Sequence, residues 1–258
     1  MGARLLTAVG ALTLVVAFAL LIVTCASIPN TSLPLLTVDA HNDRRGATGG
    51  EIRVQFGLWG WCQHTSEVWG THPEGCVKGN GTSGYNPAVV MRGLNEDFPS
   101  FNTAGSARDL TLGFVLPAVA IATTGVAIIL AIAWLIKRNL IIYIAILTFS
   151  VLSFIFTIAA VGCVFGFCEK IRKGTPARTL VWVGTSRSRT ATFWDLKTYY
   201  GPCVVTLALA CGVLLVATII LFFAWLVSKR EGRRTWSEGV AEKHRVSHSE
   251  VAPSSSEH

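Results

Sequence analysis

A chain of 258 residues has room for one large soluble domain or two small ones, but 51% of its residues are hydrophobic and only 14% charged, too apolar a balance for an ordinary soluble protein. The formal charge of +7 would suit a nucleic-acid binder. Its basic residues, however, stand beside apolar runs instead of forming a stripe interleaved with aromatics, which is the pattern of a membrane surface and excludes nucleic acid as the expected partner.

Four runs free of Asp, Glu, Lys and Arg extend over 5–28, 110–136, 140–168 and 203–227. Each reaches the roughly 20 residues that a helix rising 1.5 Å per residue needs to cross a ~30 Å hydrocarbon core. The expectation is a four-pass helical membrane protein. The first run follows Arg4 and ends Thr24-Cys25-Ala26, as a cleavable signal peptide does. It exceeds the usual ~7–15-residue signal core, so a retained span is expected.

Orientation follows from flanking charge. Lys137-Arg138-Asn139 is all that joins the second and third spans, and Lys229, Arg230, Arg233 and Arg234 follow the fourth. The positive-inside rule puts both in the cytosol. The chain then divides into a cytosolic N-terminus with the first span (1–28), an extracellular loop (29–109), the second span (110–136), a cytosolic turn (137–139), the third span (140–168), a second extracellular loop (169–202), the fourth span (203–227) and a cytosolic tail (228–258). One feature opposes this: the second extracellular loop carries seven Lys and Arg, from Lys170 to Lys197, against Glu169 and Asp195. The alternative topology would place a cysteine-bearing loop in a reducing compartment, so four passes are retained.

In the first loop Ile52, Val54, Phe56 and Leu58 alternate with Arg53, Gln55 and Gly57, the pattern of a strand with one buried face. A second strand is expected near Cys76, and a short helix over Asn86–Gly93 with Pro87 early and Gly93 closing it. Two sequons, at Asn30 and Asn80, are glycosylation candidates; Asn30 lies too near the first span, which leaves Asn80. In the second loop, 180–183 and 190–194 flank a Gly184-Thr185-Ser186 turn, predicting a hairpin that would cover an edge of the same sheet. Trp182, Trp194, Tyr199 and Tyr200 also fit the role of interfacial anchors.

Within the spans, Gly162-x-x-x-Gly166 and Ala208-x-x-x-Gly212 are small-residue pairs expected to let helices of the same chain pack closely, with homo-oligomerisation as the lesser reading. Pro117 is expected to kink the second span. The tail beyond its basic membrane-proximal part reads as unstructured.

Cys62-x-His64 and His72-x-x-x-Cys76 together would supply a tetrahedral zinc set. Outside the cell the two cysteines oxidise instead, so a Cys62–Cys76 disulfide is expected and no metal. Cys168 and Cys203 could form a second bridge at the outer ends of their spans. No Gly-rich phosphate loop, His-Glu-x-x-His or Gly-x-Ser-x-Gly occurs, and no ionisable residue within a span marks an ion pathway. Neither an enzyme nor a cofactor is expected. His41, His64 and His72 are of the residue type that pH sensors use, though solvated bystanders are the commoner reading of such loop histidines.

The run Gly57-Leu58-Trp59-Gly60-Trp61-Cys62, then Cys76, then Gly84-Tyr85-Asn86-Pro87, resembles the first extracellular loop of the fungal PalI-like tetraspan family and its eisosome-associated relatives. It is also similar to the Gly-Leu-Trp-x-x-Cys…Cys signature of the wider claudin group. The resemblance implies a claudin-like fold: an all-α transmembrane four-helix bundle, left-handed, topped by a small disulfide-stapled extracellular β-sheet with the Trp59 region packed against the membrane-proximal helix ends. Gly57, Leu58, Trp59, Cys62 and Cys76 become structural signature residues. PalI-like proteins assist an ambient-pH sensor complex at the plasma membrane, and the eisosome relatives organise membrane domains. The chain departs from claudins in having no earlier Trp in its first loop and no terminal aromatic-Val motif. The functional expectation is a non-enzymatic plasma-membrane tetraspan with both termini cytosolic. It would organise a membrane domain or support a pH-sensor complex, with other membrane proteins (through lateral helix contacts), membrane lipids or a second copy as partners. The alternative is a channel or transporter subunit.

Overall fold

Four helices carry the apolar runs: α1 (Gly2–Cys25), α2 (Leu116–Ile136), α3 (Leu140–Gly174) and α4 (Pro202–Ser249). In this computed structural model the described residues are 2–27, 33–42, 51–65, 75–78, 87, 109–137, 139–174, 178–183 and 190–249. All four helices are long and apolar enough to cross a membrane. They pack in a ring, α1 against α2 and α4, and α3 against α2 and α4.

The buried residues of each helix recur with alternating spacings of three and four. In α3 they are Tyr143, Ile146, Ser150, Ser153, Thr157, Ala160, Val164, Phe167 and Ile171, and in α4 Leu207, Ala210, Leu214, Ala217, Leu221 and Ala224. Ala120, Thr124, Ala127, Ala131 and Trp134 do the same in α2, and Thr7, Gly10, Leu14, Ala17, Leu21 and Thr24 in α1. A mean spacing of 3.5 residues is the seam of a left-handed bundle. Hydroxyls on this seam meet across helices: Thr124 with Ser153, Ser150 with Thr218 at 2.9 Å, and Thr24 with Thr206 at 3.2 Å. The Tyr143 hydroxyl donates to the Leu221 carbonyl at 2.8 Å. Such interhelical bonds contribute about 0.6 kcal/mol each in a membrane, so the set orients the helices more than it stabilises them.

The phase of this seam corrects the small-residue expectation. Ala208, Gly212 and Gly162 fall between seam positions and are exposed on the outer surface, and nothing lies within 4 Å of where a Cβ on Gly162 or Gly212 would stand. Gly166 stands near another segment, the Leu110 side chain. Close approach occurs instead at Gly10 of α1, where a Cβ would meet the Leu221 side chain of α4, and small buried alanines fill the seam elsewhere. Pro117 lies inside the second span: the helical run from Asp109 to Ile136 passes through a 3-10 turn (Gly113–Val115) just before the proline, whose ring nitrogen cannot bond the carbonyl four residues back at Gly113.

Two helices outrun their apolar segments. α3 continues to Gly174, past the expected end at Cys168, because no breaker occurs before Gly174-Thr175-Pro176. The Glu169–Lys173 pair at 3.3 Å and the basic last turn favour that extension. α4 continues to Ser249, where the tail was expected to be unstructured. Propagating an existing helix avoids the cost of nucleation, and no proline occurs in this stretch before Pro253.

Above one end of the bundle lies a six-stranded antiparallel sheet of order β4-β3-β2-β1-β6-β5. Its strands are β1 (Leu36–Asn42), β2 (Glu51–Phe56), β3 (Gly60–Thr65), β4 (Gly75–Lys78), β5 (Arg178–Val183) and β6 (Thr190–Tyr200). The expected second-loop hairpin is β5–β6, and it joins the first loop through β1, with Leu36 opposite Tyr200 and Asn42 opposite Trp194. Both loops therefore lie on one side of the bundle, opposite the connection between α2 and α3. Within the basic second loop Lys173 pairs with Glu169, and Lys197 stands in register with Asp39. Strand β2 stops at Phe56, so Leu58 belongs to the following turn and not to the strand. The short helix expected over 86–93 lies outside the described residues except for Pro87, which is helical and buried.

Candidate functional site

The segment with the most specific construction is the junction of sheet and bundle, built around residues 56–62. Gly57 N–H donates to the Gly60 carbonyl at 2.8 Å, turning the chain from β2 into β3. Strand β3 then lies against β4 with Cys62 directly opposite Cys76, and the two are joined as a disulfide with a Cα–Cα distance of 4.0 Å. The Gly60 position is fixed by this pairing, since a Cβ there would collide with the Val77 carbonyl oxygen of β4.

The turn between β2 and β3 reaches down to α1. Leu58 is 3% exposed and its N–H donates to Ser27 Oγ at 3.0 Å. Trp59 Nε1–H donates to the Cys25 carbonyl at 2.7 Å. That carbonyl belongs to the last turn of α1, where C=O groups have no intrahelical partner, so the indole serves as a C-terminal cap. Strand β1 is tied to the same place: Leu35 N–H donates to the Phe56 carbonyl at 2.7 Å, and Gly201 N–H to the Leu35 carbonyl at 2.8 Å. Gly201 forms the corner between β6 and α4, and a side chain there would overlap the Pro34 carbonyl.

Beneath these hydrogen bonds an apolar layer is continuous with the bundle. Leu36 and Val38 of β1, Ile52, Val54 and Phe56 of β2, and Leu196 of β6 are all buried in one core that includes Phe114 and Phe167 of the bundle. Phe167 meets Phe114 and Phe56 edge to face, at centroid distances of 5.2 and 6.2 Å. Aromatic pairs in this geometry contribute about 0.5–1.5 kcal/mol beyond their burial. Trp61 packs partly buried against the same core.

The outer face of the sheet is polar. Arg53 donates to Asp39 at 2.8 Å across the β1–β2 pair, with Lys197 in register on the other side of Asp39. His41 stands between Glu51 and Asp195 by register, and His64 is exposed on β3. His72, Trp69 and the sequon asparagines Asn30 and Asn80 lie outside the described residues. Because Cys62 and Cys76 are bonded to each other, they offer no thiolate to a metal, and the zinc set considered above has lost half its ligands. Cys168 and Cys203, considered as a second bridge, are both buried free thiols; Cys203 donates to the Thr24 carbonyl at 3.5 Å.

The bundle, the antiparallel sheet above it and its Cys62–Cys76 disulfide define a claudin-like membrane tetraspan. The match to known families is narrower. The model of the SUR7/PalI family covers residues 3–194, about three-quarters of the chain, and the protein belongs to that family. No individual curated protein matches it.

Several contributors to the junction had no signal singled out in the sequence. The Cys25 carbonyl and Gly201 act through backbone geometry, and Ser27 through a hydroxyl that accepts from the Leu58 N–H. The seam hydroxyls could have been found by testing the Ser and Thr of each span for heptad spacing.

Proposed function

We propose that the protein is a non-enzymatic tetraspan of the plasma membrane, with both termini cytosolic, that organises a membrane domain or supports an ambient-pH sensor complex through lateral helix contacts and its stapled ectodomain. Membership of the SUR7/PalI family carries this reading. The outward placement of Ala208, Gly212 and Gly162 supports it, because small residues on a lipid-facing surface leave room for the helix of a neighbouring protein. The seam of the bundle, filled by Leu14, Leu21, Leu214, Leu221 and the paired hydroxyls, favours this role over a pore through a single chain.

The test is proximity labelling of neighbours in living membranes, combined with imaging of the distribution of the protein. Enrichment of particular membrane proteins in discrete patches is expected. An even distribution with no enriched neighbour would sink the reading, and a current from the chain alone in liposomes would replace it with a channel.

A further inference from the structure

Between α3 and α4, in the half of the bundle remote from the sheet, runs an open apolar groove of about 960 Å³. Its walls include Ile144, Val151 and Ile155 of α3 and Ile219, Phe222 and Trp225 of α4. From Ile144 to Ile155 it is about 16 Å long at 1.5 Å per residue, about half of a ~30 Å hydrocarbon core. The groove is therefore as long as one leaflet is deep. Apolar side chains facing lipid need no explanation, but a concave groove of this volume lies in the range of ligand sites.

One end of the groove is chemically different. Trp225 lines it, and the buried indole Nε1–H of that residue has no hydrogen-bond partner among the described residues. The Lys229 ammonium stands 5.2 Å from the centroid of the same ring. An unpaired N–H buried at membrane depth is costly; the nitrogen is closed off as the ring stands, so a turn of the indole toward an acceptor in the groove would relieve that cost. In the sequence Arg230, Arg233 and Arg234 follow Lys229.

We propose that this groove holds one anionic phospholipid of the leaflet remote from the sheet. An acyl chain lies between α3 and α4, the phosphate or ester oxygen accepts from Trp225 Nε1–H, and the head group is held by Lys229. Charge decides between this occupant and a second copy of the chain. A parallel copy seated here would bring its own Lys229 to the same level, whereas an anionic head group neutralises it. The inference rests on the chain spanning a membrane and is independent of any organising role.

The test uses the full chain in detergent micelles, titrated with phosphatidylserine and with phosphatidylcholine of identical acyl chains, with bound lipid counted by native mass spectrometry. One phosphatidylserine is expected to be retained in preference to phosphatidylcholine. Lys229→Gln should weaken that retention about fivefold, as for one basic residue at an anionic surface, and Trp225→Phe should weaken it while preserving the ring. Val151→Trp, which fills the groove, should abolish retention of both lipids. The Cys62–Cys76 disulfide, read by a non-reducing gel, reports that each variant has folded. Equal retention of the two lipids, retention unchanged by Trp225→Phe, or a dimer that forms in wild type and is lost in Val151→Trp would overturn the proposal.

Discussion

Replacing Phe167 with alanine should uncouple the sheet from the helices while leaving both formed. The ring is fully buried and touches Phe56 of the sheet and Phe114 of the turn before α2. Its removal forfeits about 1.5–3 kcal/mol of burial and two edge-to-face pairs of about 0.5–1.5 kcal/mol each. The sum brackets the 3–5 kcal/mol typical of Phe→Ala in cores. Cys168 is the adjacent residue and is itself completely buried, so alkylation of its thiol reports opening of the junction. With the other free cysteines replaced by alanine, and with closing fast relative to labelling, a loss of at least 3 kcal/mol raises the alkylation rate roughly 100-fold. A rise of less than threefold, in protein whose Cys62–Cys76 bond is intact, would refute the argument that this ring cluster holds the two layers together.

Further outcomes follow from the same geometry. Gly60→Ala should lower the fraction of correctly disulfide-bonded protein on a non-reducing gel, because the new Cβ meets the Val77 carbonyl; Gly75→Ala, with nothing within 4 Å of its Cβ, should leave that fraction unchanged. Cys62→Ser should abolish the non-reducing mobility shift and lower stability by about 3 kcal/mol, the chain-entropy value for a loop closed over a separation of 14 residues; a thermal melt in micelles reads the loss. Trp59→Phe removes the cap on the Cys25 carbonyl and should cost about 0.5–1.5 kcal/mol in the same melt. Asn80→Gln should remove the glycosidase-sensitive mass of protein made in a glycosylating host.

Composition alone exposed the helices, since a charge-free run longer than a bilayer is deep has few other uses. The β5–β6 hairpin was legible from two short β-prone segments around a turn. Strand β1 was not anticipated, although Leu36 and Val38 alternate with Thr37 and Asp39. The signal is short and follows Pro34, and its pairing with β6 joins segments too far apart for any local pattern to report. The small-residue motifs misled for a related reason. Gly212 and Ala208 satisfy the spacing for close packing, but which face of a helix turns inward is set by the whole seam, and Leu207, Ala210 and Leu214 claim it. The Cys62–Cys76 clasp was readable because oxidation chemistry and a family signature point to the same pair. The groove at Trp225 was not, because it depends on how far two helices stand apart and on an indole left without an acceptor.

The pairing of β1 with β6 also sets a timetable for biosynthesis. Leu36 emerges early, but its partner Tyr200 is made only after two further spans have entered the membrane. At ~5–20 residues per second the ribosome leaves β1 without that neighbour for about 10–30 s. During this interval one edge of a nascent sheet presents unpaired backbone groups, a template for pairing with other chains. A chain truncated before residue 190 would keep that edge open permanently. Aggregation and retention by quality control should therefore rise further when a truncation that has already removed the last span goes on to remove β6.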